Sequence, residues 1–333
     1  MALLADSGDT LTESCMSSTM AAIVIQEFGG PDVLQLRHQP LPVAAPGHAL
    51  VKLAFAGVNF VDLYQRQGNY PGISLPLALG LEGAGEIVDV APGSGFAVCD
   101  RVAFTTGVQG AYASHVAVPL EHLVPVPPTV SLRDAAAALE HGLTAAMLLD
   151  DVARLRPGDA VLVHAAAGGV GGWLTQWLVA RGHRVWGTVS TAAKAEWLRA
   201  MGAKPLLTND DWTSAAAGVA VVFDSVGADT FAGSLSALRV GGHLVLFGAA
   251  SGQPDPVDVL SLMRKSLTLT RPVLPHFLTD AAKLRSRAAS VFEALRSGAV
   301  QLRVHAQLPI AEAALAHELL ASRTTQGKLL LQP

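Results

Sequence analysis

Cysteine is almost missing from this chain: Cys15 and Cys99 are the two thiols in 333 residues. That excludes a disulfide framework and the closely spaced cysteine cluster of a structural zinc site. Charged residues are scarce at 15 %, half of the residues are hydrophobic, and the formal net charge is -4. With no basic tract present, nothing points to nucleic acid or an anionic membrane as a partner. No uninterrupted apolar run reaches the roughly 18 residues that suggest a membrane helix. Residues 1–19 contain Asp6, Asp9 and Glu13 but no Lys or Arg, unlike secretory and mitochondrial leaders. The expectation is a soluble, cytoplasmic protein with a flexible extension over 1–19 and a folded body from Met20.

What is present is enough apolar residue for a sizeable core in one large or two intimately joined domains. After Met20, β-prone pieces at Ala22–Ile25, His48–Phe55, Gly85–Val90, Asp100–Phe104 and Ala113–Val118 alternate with Pro/Gly turns, the texture of a compact antiparallel unit. From Leu132 the pattern turns helical. Strand candidates then recur at Ala160–Ala165, Arg184–Val189, Val219–Ser225, His243–Phe247 and Ser266–Thr270, with helices between them including Ala192–Met201 and Asp229–Leu238. This alternation predicts an α/β fold with a Rossmann-type, doubly wound parallel sheet. The tail reads as extended from Val304, helical at Ala311–Leu320 and strand-like at Lys328–Leu331, and is expected to return to the first β unit.

Ala165-Ala166-Ala167-Gly168-Gly169-Val170-Gly171 follows the first of these later strands and opens a helix-like stretch, Gly172–Leu178. A side-chain-poor turn at a helix N-terminus lets backbone N–H groups approach a pyrophosphate. Ala166 stands in the first position of the usual G-x-G-x-x-G spacing, with Gly168 and Gly171 in the others. No carboxylate stands at the tip of the second strand to receive ribose hydroxyls; Thr188-Val189-Ser190 ends there, with Lys194 a helical turn beyond. A hydroxyl and a cation suit a 2′-phosphate, so NADPH is expected over NADH.

The segments Gly57–Tyr64, Gln67–Pro71, Gly142–Ala145, Ala165–Gly171, Phe247–Gly252, Leu269–Pro272 and Ser322–Lys328 together resemble the zinc-free quinone oxidoreductase, or zeta-crystallin-like, branch of the medium-chain dehydrogenase/reductase superfamily. The resemblance implies a co-chaperonin-like β domain from residues 20–140 and 300–333, a Rossmann domain over 141–299, and a homodimer. It implies that Asn59 and Tyr64 face nicotinamide and substrate as hydrogen-bond donors, with Arg271 drawing the negative pole of the acceptor. It also assigns NADPH to Thr144, to Ala167, Gly168, Gly169, Val170 and Gly171 at the pyrophosphate, and to Ser190, Lys194 and Arg323 at the 2′-phosphate. Phe247, Gly248, Ala249 and Thr270 belong beside the nicotinamide. Asn209 departs from the Tyr or His that relatives often place near the adenosine.

No metal is expected: Leu81-Glu82 replaces the His-Glu pair of the zinc enzymes, and Val58-Asn59 stands near their catalytic cysteine. Glu82 is expected to order the cleft and His141 to sit at a helix start. The implied activity is hydride transfer from NADPH to a quinone. The alternatives are reduction of an α,β-unsaturated aldehyde or ketone, and a nucleotide-binding structural or regulatory role of the zeta-crystallin type.

Overall fold

A computed structural model describes residues 18–333, so residues 1–17 of the expected extension lie outside the described residues. Strand β1 (Thr19–Ile25) pairs antiparallel with β2 (Gln35–Pro40), beginning at Thr19 opposite Pro40. The long strand β3 (His48–Val58) follows, then helix α1 (Phe60–Arg66). The Asp62 carboxylate accepts the Asn59 N–H at 2.8 Å and so secures the first turn of α1. Next come β4 (Leu77–Ala78), β5 (Glu82–Val90), β6 (Arg101–Phe104), β7 (His115–Pro119) and β8 (Val124–Pro125).

Helix α2 (Leu132–Met147) is capped by Ser131, whose hydroxyl accepts the Asp134 N–H at 3.0 Å. Its run Ala135–Leu139 is wholly buried. Small side chains there let α2 pack against β3, β5 and β6 on one side and against later helices on the other. The expected boundary at residue 140 therefore falls inside a continuous helix.

The second half alternates: β9 (Ala160–Val163), α3 (Gly169–Ala180), β10 (Arg184–Val189), α4 (Ala192–Ala200), β11 (Lys204–Leu207), α5 (Trp212–Ala215), β12 (Val219–Asp224), α6 (Phe231–Ala237) and β13 (Leu238–Leu246). Then come α7 (Val259–Met263), β14 (Thr268–Thr270), α8 (Ala281–Arg296), β15 (Val304–Pro309), α9 (Ala313–Ala321) and β16 (Lys328–Gln332). Six parallel strands in the order β11-β10-β9-β12-β13-β14 form the doubly wound sheet. The order reverses between β9 and β12, and a ligand crevice is expected at the carboxyl ends of the strands there.

The last strand crosses back to the first half. β16 pairs antiparallel with β3, Leu329 opposite Val58 and Leu331 opposite Ala56, inside a seven-stranded sheet. In the same sheet Gly57 faces Glu82 and Gly83 faces Phe104. This register puts Asn59, Glu82, Thr105 and Lys328 at one end of the sheet, the end that α2 crosses.

Candidate active site

The expected dinucleotide cradle forms where β9 stops. The chain turns at Ala165, which takes a positive φ of 48°, so β9 is shorter than its apolar sequence suggests. The Ala166 N–H donates to the Thr188 carbonyl at 3.0 Å and the Gly168 N–H to the Ala165 carbonyl at 2.8 Å. Ala166 serves in the first motif position because Ala165 takes the left-handed turn and Gly187 opposite has no side chain; a Cβ on Gly187 would stand 2.6 Å from the Ala166 Cβ. A Cβ on Gly171 would collide with the Ala165 carbonyl oxygen, and one on Gly169 with the His141 ring. The first-turn amides of α3, from Gly169 through Val170 to Gly171, have no intrahelical acceptor and face the turn. Ala167 is buried, and its carbonyl accepts the Gly327 N–H at 3.2 Å, tying β16 to the cradle.

Ser190, Lys194 and Arg323 converge beside β10. Lys194 Nζ lies 3.3 Å from Ser190 Oγ and 3.0 Å from the Arg323 carbonyl oxygen. Burial pushes the Lys194 ammonium below its usual pKa. Arg323 adopts φ 58° and donates from its guanidinium to the Ala250 carbonyl at 2.9 Å, joining the turn before β16 to the segment after β13. Asn209 lies exposed in the turn after β11, which the Thr208 N–H holds to the end of β10 at 3.0 Å from the Val189 carbonyl.

Tyr64 and Arg271 gather at the exits of β13 and β14. The Ala249 N–H donates to the Tyr64 hydroxyl at 3.2 Å, and Arg271 donates to the Leu246 carbonyl at 3.1 Å. Burial raises the Tyr64 phenol above its usual range, opposed by the Ala249 bond and by nearby Arg271 and Arg323. Phe247 and Gly248 both donate their N–H groups to the Asp224 carbonyl, at 2.8 and 3.3 Å. Any Cβ on Gly248 would stand 2.5 Å from the Ser225 carbonyl oxygen. Thr144 is half-buried one turn beyond Glu140 on α2. The half-buried Thr270 ends β14, its hydroxyl paired with His243 Nε2 at 2.9 Å.

Asn59 differs from its expected place. Its Oδ1 accepts from Lys328 Nζ at 2.6 Å, while its amide nitrogen lies 3.0 Å from Glu82 Oε2 and 3.4 Å from the Gly57 carbonyl. Both amide hydrogens face protein acceptors, so the expected donation to substrate is replaced by a role inside a buried cluster. Lys328 is 1 % exposed and Glu82 0 %, with Nζ 2.5 Å from Glu82 Oε2. Glu82 Oε1 accepts the Glu140 N–H at 2.8 Å, and the Thr105 hydroxyl donates to the Glu140 carboxyl. His141 is in the interior of α2, not at a helix start, with Nε2 3.5 Å from Lys328 Nζ. Burial and Lys328 hold His141 well below the usual imidazole pKa, so it is neutral. Sequence reasoning assigned no role to Lys328 or Glu140. The one local signal was a lysine opening an otherwise apolar strand, Lys328–Leu331.

The chain is similar to known proteins over nearly its full length. Residues 45–128 match the alcohol dehydrogenase GroES-like domain family, and residues 169–286 the zinc-binding dehydrogenase family. A quinone oxidoreductase of Pseudomonas aeruginosa is 38 % identical over 316 residues, 92 % of this chain and 97 % of that protein. The solved Escherichia coli quinone oxidoreductase complexed with NADPH superposes with a TM-score of 0.90 at 36 % identity, covering 94 % of this chain and 100 % of that one. This chain belongs to the quinone oxidoreductase branch of the medium-chain dehydrogenase/reductase superfamily. A 2-haloacrylate reductase of a Burkholderia species, 35 % identical over 94 % of this chain and 98 % of its own length, lies within similar range.

Zinc, which one of the matched family descriptions implies, does not fit the donor set of this quinone oxidoreductase family member. Leu81 offers no ligating atom, and the Asn59 and Glu82 oxygens that face the same point are occupied by the Lys328 ammonium. Zinc takes up deprotonated thiolate, imidazole or carboxylate ligands in tetrahedral array. Here a protein cation neutralises the carboxylate instead. A dinucleotide does fit: the cradle is closed to any Cβ at Gly171, and the Lys194 ammonium stands beside the Ser190 hydroxyl at the next strand tip.

Proposed function

We propose that this protein is an NADPH-dependent quinone oxidoreductase that works without a metal. The convergence of Ser190, Lys194 and Arg323 at the tip of β10, where no carboxylate stands, carries this reading. The NADPH-bound relative and the quinone oxidoreductases of similar length support it. NADPH, when bound, supplies the hydride.

The protein's part is to bind and orient. The first-turn amides of α3 at Gly169, Val170 and Gly171 hold the pyrophosphate, with Ala167 and Gly168 shaping the turn. Lys194 and Arg323 balance the charge of the 2′-phosphate, to which Ser190 donates. Thr144, Phe247, Gly248, Ala249 and the Thr270 backbone line the nicotinamide end, and Asn209 borders the adenosine. The Tyr64 hydroxyl accepts from Ala249 and keeps its own hydrogen for the acceptor oxygen, while Arg271 attracts the charge developing there. Asn59 positions the end of β3 and α1 from within the buried cluster.

The acceptor is a small molecule. We place the protein in the cytoplasm as a homodimer; no described helix is long and apolar enough to cross a membrane. The similarity to a 2-haloacrylate reductase supports a second reading, reduction of an activated alkene. Oxidation of NADPH and NADH, measured against a benzoquinone, a naphthoquinone and an enone, tests both. NADPH-selective quinone turnover is the expected result. Turnover of the enone alone would sink the first reading in favour of the second.

A further inference from the structure

Reduction of a quinone to its quinol takes a proton besides the hydride, and Tyr64 is poorly matched to supply it at neutral pH. Its phenol lies above an already high range, and proton transfer is most effective from an acid whose pKa lies near the working pH. The end of the seven-stranded sheet holds three carboxyl groups, Asp62, Glu82 and Glu140. Asp62 and Glu82 are 0 % exposed, and Glu82 is committed to Lys328, Asn59 and the Glu140 N–H. Asp62 Oδ2 is held by the Asn59 N–H and the Tyr112 hydroxyl. Glu140 is the one of the three with surface of its own. It stands on α2 one turn before Thr144, beside His141, whose ring lies against the cradle at Gly169.

We propose that Glu140 is the proton donor that completes reduction of the acceptor. This rests on the quinone oxidoreductase reading above and adds a catalytic residue to it. The hydride adds an electron pair and one hydrogen to the acceptor. The Glu140 O–H bond then breaks, its proton joins the acceptor's anionic oxygen to form the hydroxyl, and the remaining carboxylate recovers a proton from water.

The groups facing Glu140 favour this cycle. Burial, with the Glu82 carboxylate beside it, raises the Glu140 carboxyl to about 7, opposed by the Thr105 hydroxyl and the Lys328 ammonium. From β5 comes Glu82, from the end of β6 Thr105, from β16 Lys328, and from α2 itself His141. Neutral His141 has no proton to release near pH 7, and Lys328 is sealed and held on both Asn59 and Glu82. The Thr105 hydroxyl donates to the carboxyl and so orients it.

The test is the pH profile of quinone reduction, taken with infrared titration of the protonated carboxyl band in the full chain. Wild type is expected to lose kcat as pH rises through about 7. Glu140→Gln is expected to lower kcat by about 100-fold, to remove that limb and the titrating band, and to leave NADPH affinity by fluorescence within about twofold. Thr105→Val, which removes a bond favouring the carboxylate, is expected to move both the limb and the band to higher pH, and it serves if Glu140→Gln does not fold. A band that titrates in the ordinary carboxylate range overturns the assignment, as does Glu140→Gln with kcat near wild type. So does a Thr105→Val limb that stays in place. Quinone turnover with NADPH in any of these cases leaves the parent reading standing; no turnover of any acceptor by wild type overturns both.

Discussion

Lys328 Nζ lies 2.5 Å from Glu82 Oε2, and both side chains are sealed from solvent. They come from β16 and β5, which flank β3 on opposite sides, so one ion pair clamps the end of the seven-stranded sheet from which Asn59 leads into α1. Removing one partner leaves an uncompensated buried charge, which costs far more than the pair contributes. Lys328→Met should therefore destabilise the fold by about 3–5 kcal/mol in denaturant unfolding, and adding Glu82→Gln should recover part of that loss.

Cofactor selectivity rests on a separate cluster. Lys194→Ala combined with Arg323→Ala removes the ammonium that stands at Ser190 and the neighbouring guanidinium, which here lies on the Ala250 carbonyl and Asp229. Charge-assisted bonds contribute about 1.5–3 kcal/mol each, so NADPH should bind at least about 10-fold more weakly. NADH, which has no 2′-phosphate, should bind nearly unchanged. Fluorescence titration with both nucleotides measures the difference, and equal losses for the two would refute the assignment.

Tyr64→Phe keeps the ring beside Phe60 and deletes the hydroxyl that Ala249 holds. Loss of one donor to a developing oxyanion costs on the order of 10²–10³ in kcat. Because burial raises this phenol further above neutrality, it does not ionise in the working range. The variant should thus show the same shape of pH profile as wild type at a lower rate. A lost alkaline limb would mean that Tyr64, not Glu140, sets it.

Asp62 links stability to pH. Burial lifts its carboxyl to about 7, against the opposing bonds from Asn59 and Tyr112. Between its unfolded pKa near 4 and about 7, the folded chain holds the proton that the unfolded chain releases, so this group's contribution to stability falls as pH rises. His317 acts in the opposite sense: burial and Arg66 lower it to about 3, so its contribution rises with pH from about 3 to its ordinary range. Asp62→Asn should accordingly gain stability relative to wild type as pH goes from about 5 to about 8. Chemical denaturation at both pH values would show this; a constant difference would count against it.

The parallel strands and the cradle could be read locally because each is written in a short, contiguous pattern. Arg184–Val189 runs over the observed residues of β10, and the glycines of the cradle follow β9 directly. β2 gave no such signal: Gln35–Pro40 is an edge strand with mostly exposed side chains, so it lacks the alternation that burial on one face imposes. The pairing of the Thr270 hydroxyl with His243 was equally hidden, since His243 lies on the neighbouring strand.

The sequence by itself determined the Rossmann-type class, the glycine-rich turn and the absence of an acid at the tip of β10, because propensity and spacing act over a few residues. Only the tertiary structure decided that Asn59 turns inward to Lys328, that Glu82 is neutralised by a protein cation, and that Glu140 reaches the same sheet end with its own surface. Those contacts join residues far apart in the sequence, up to 269 positions in the Asn59–Lys328 bond. The physical reason is that burial makes an unpaired charge costly, so each charge's role depends on which distant partner the folded register brings to it.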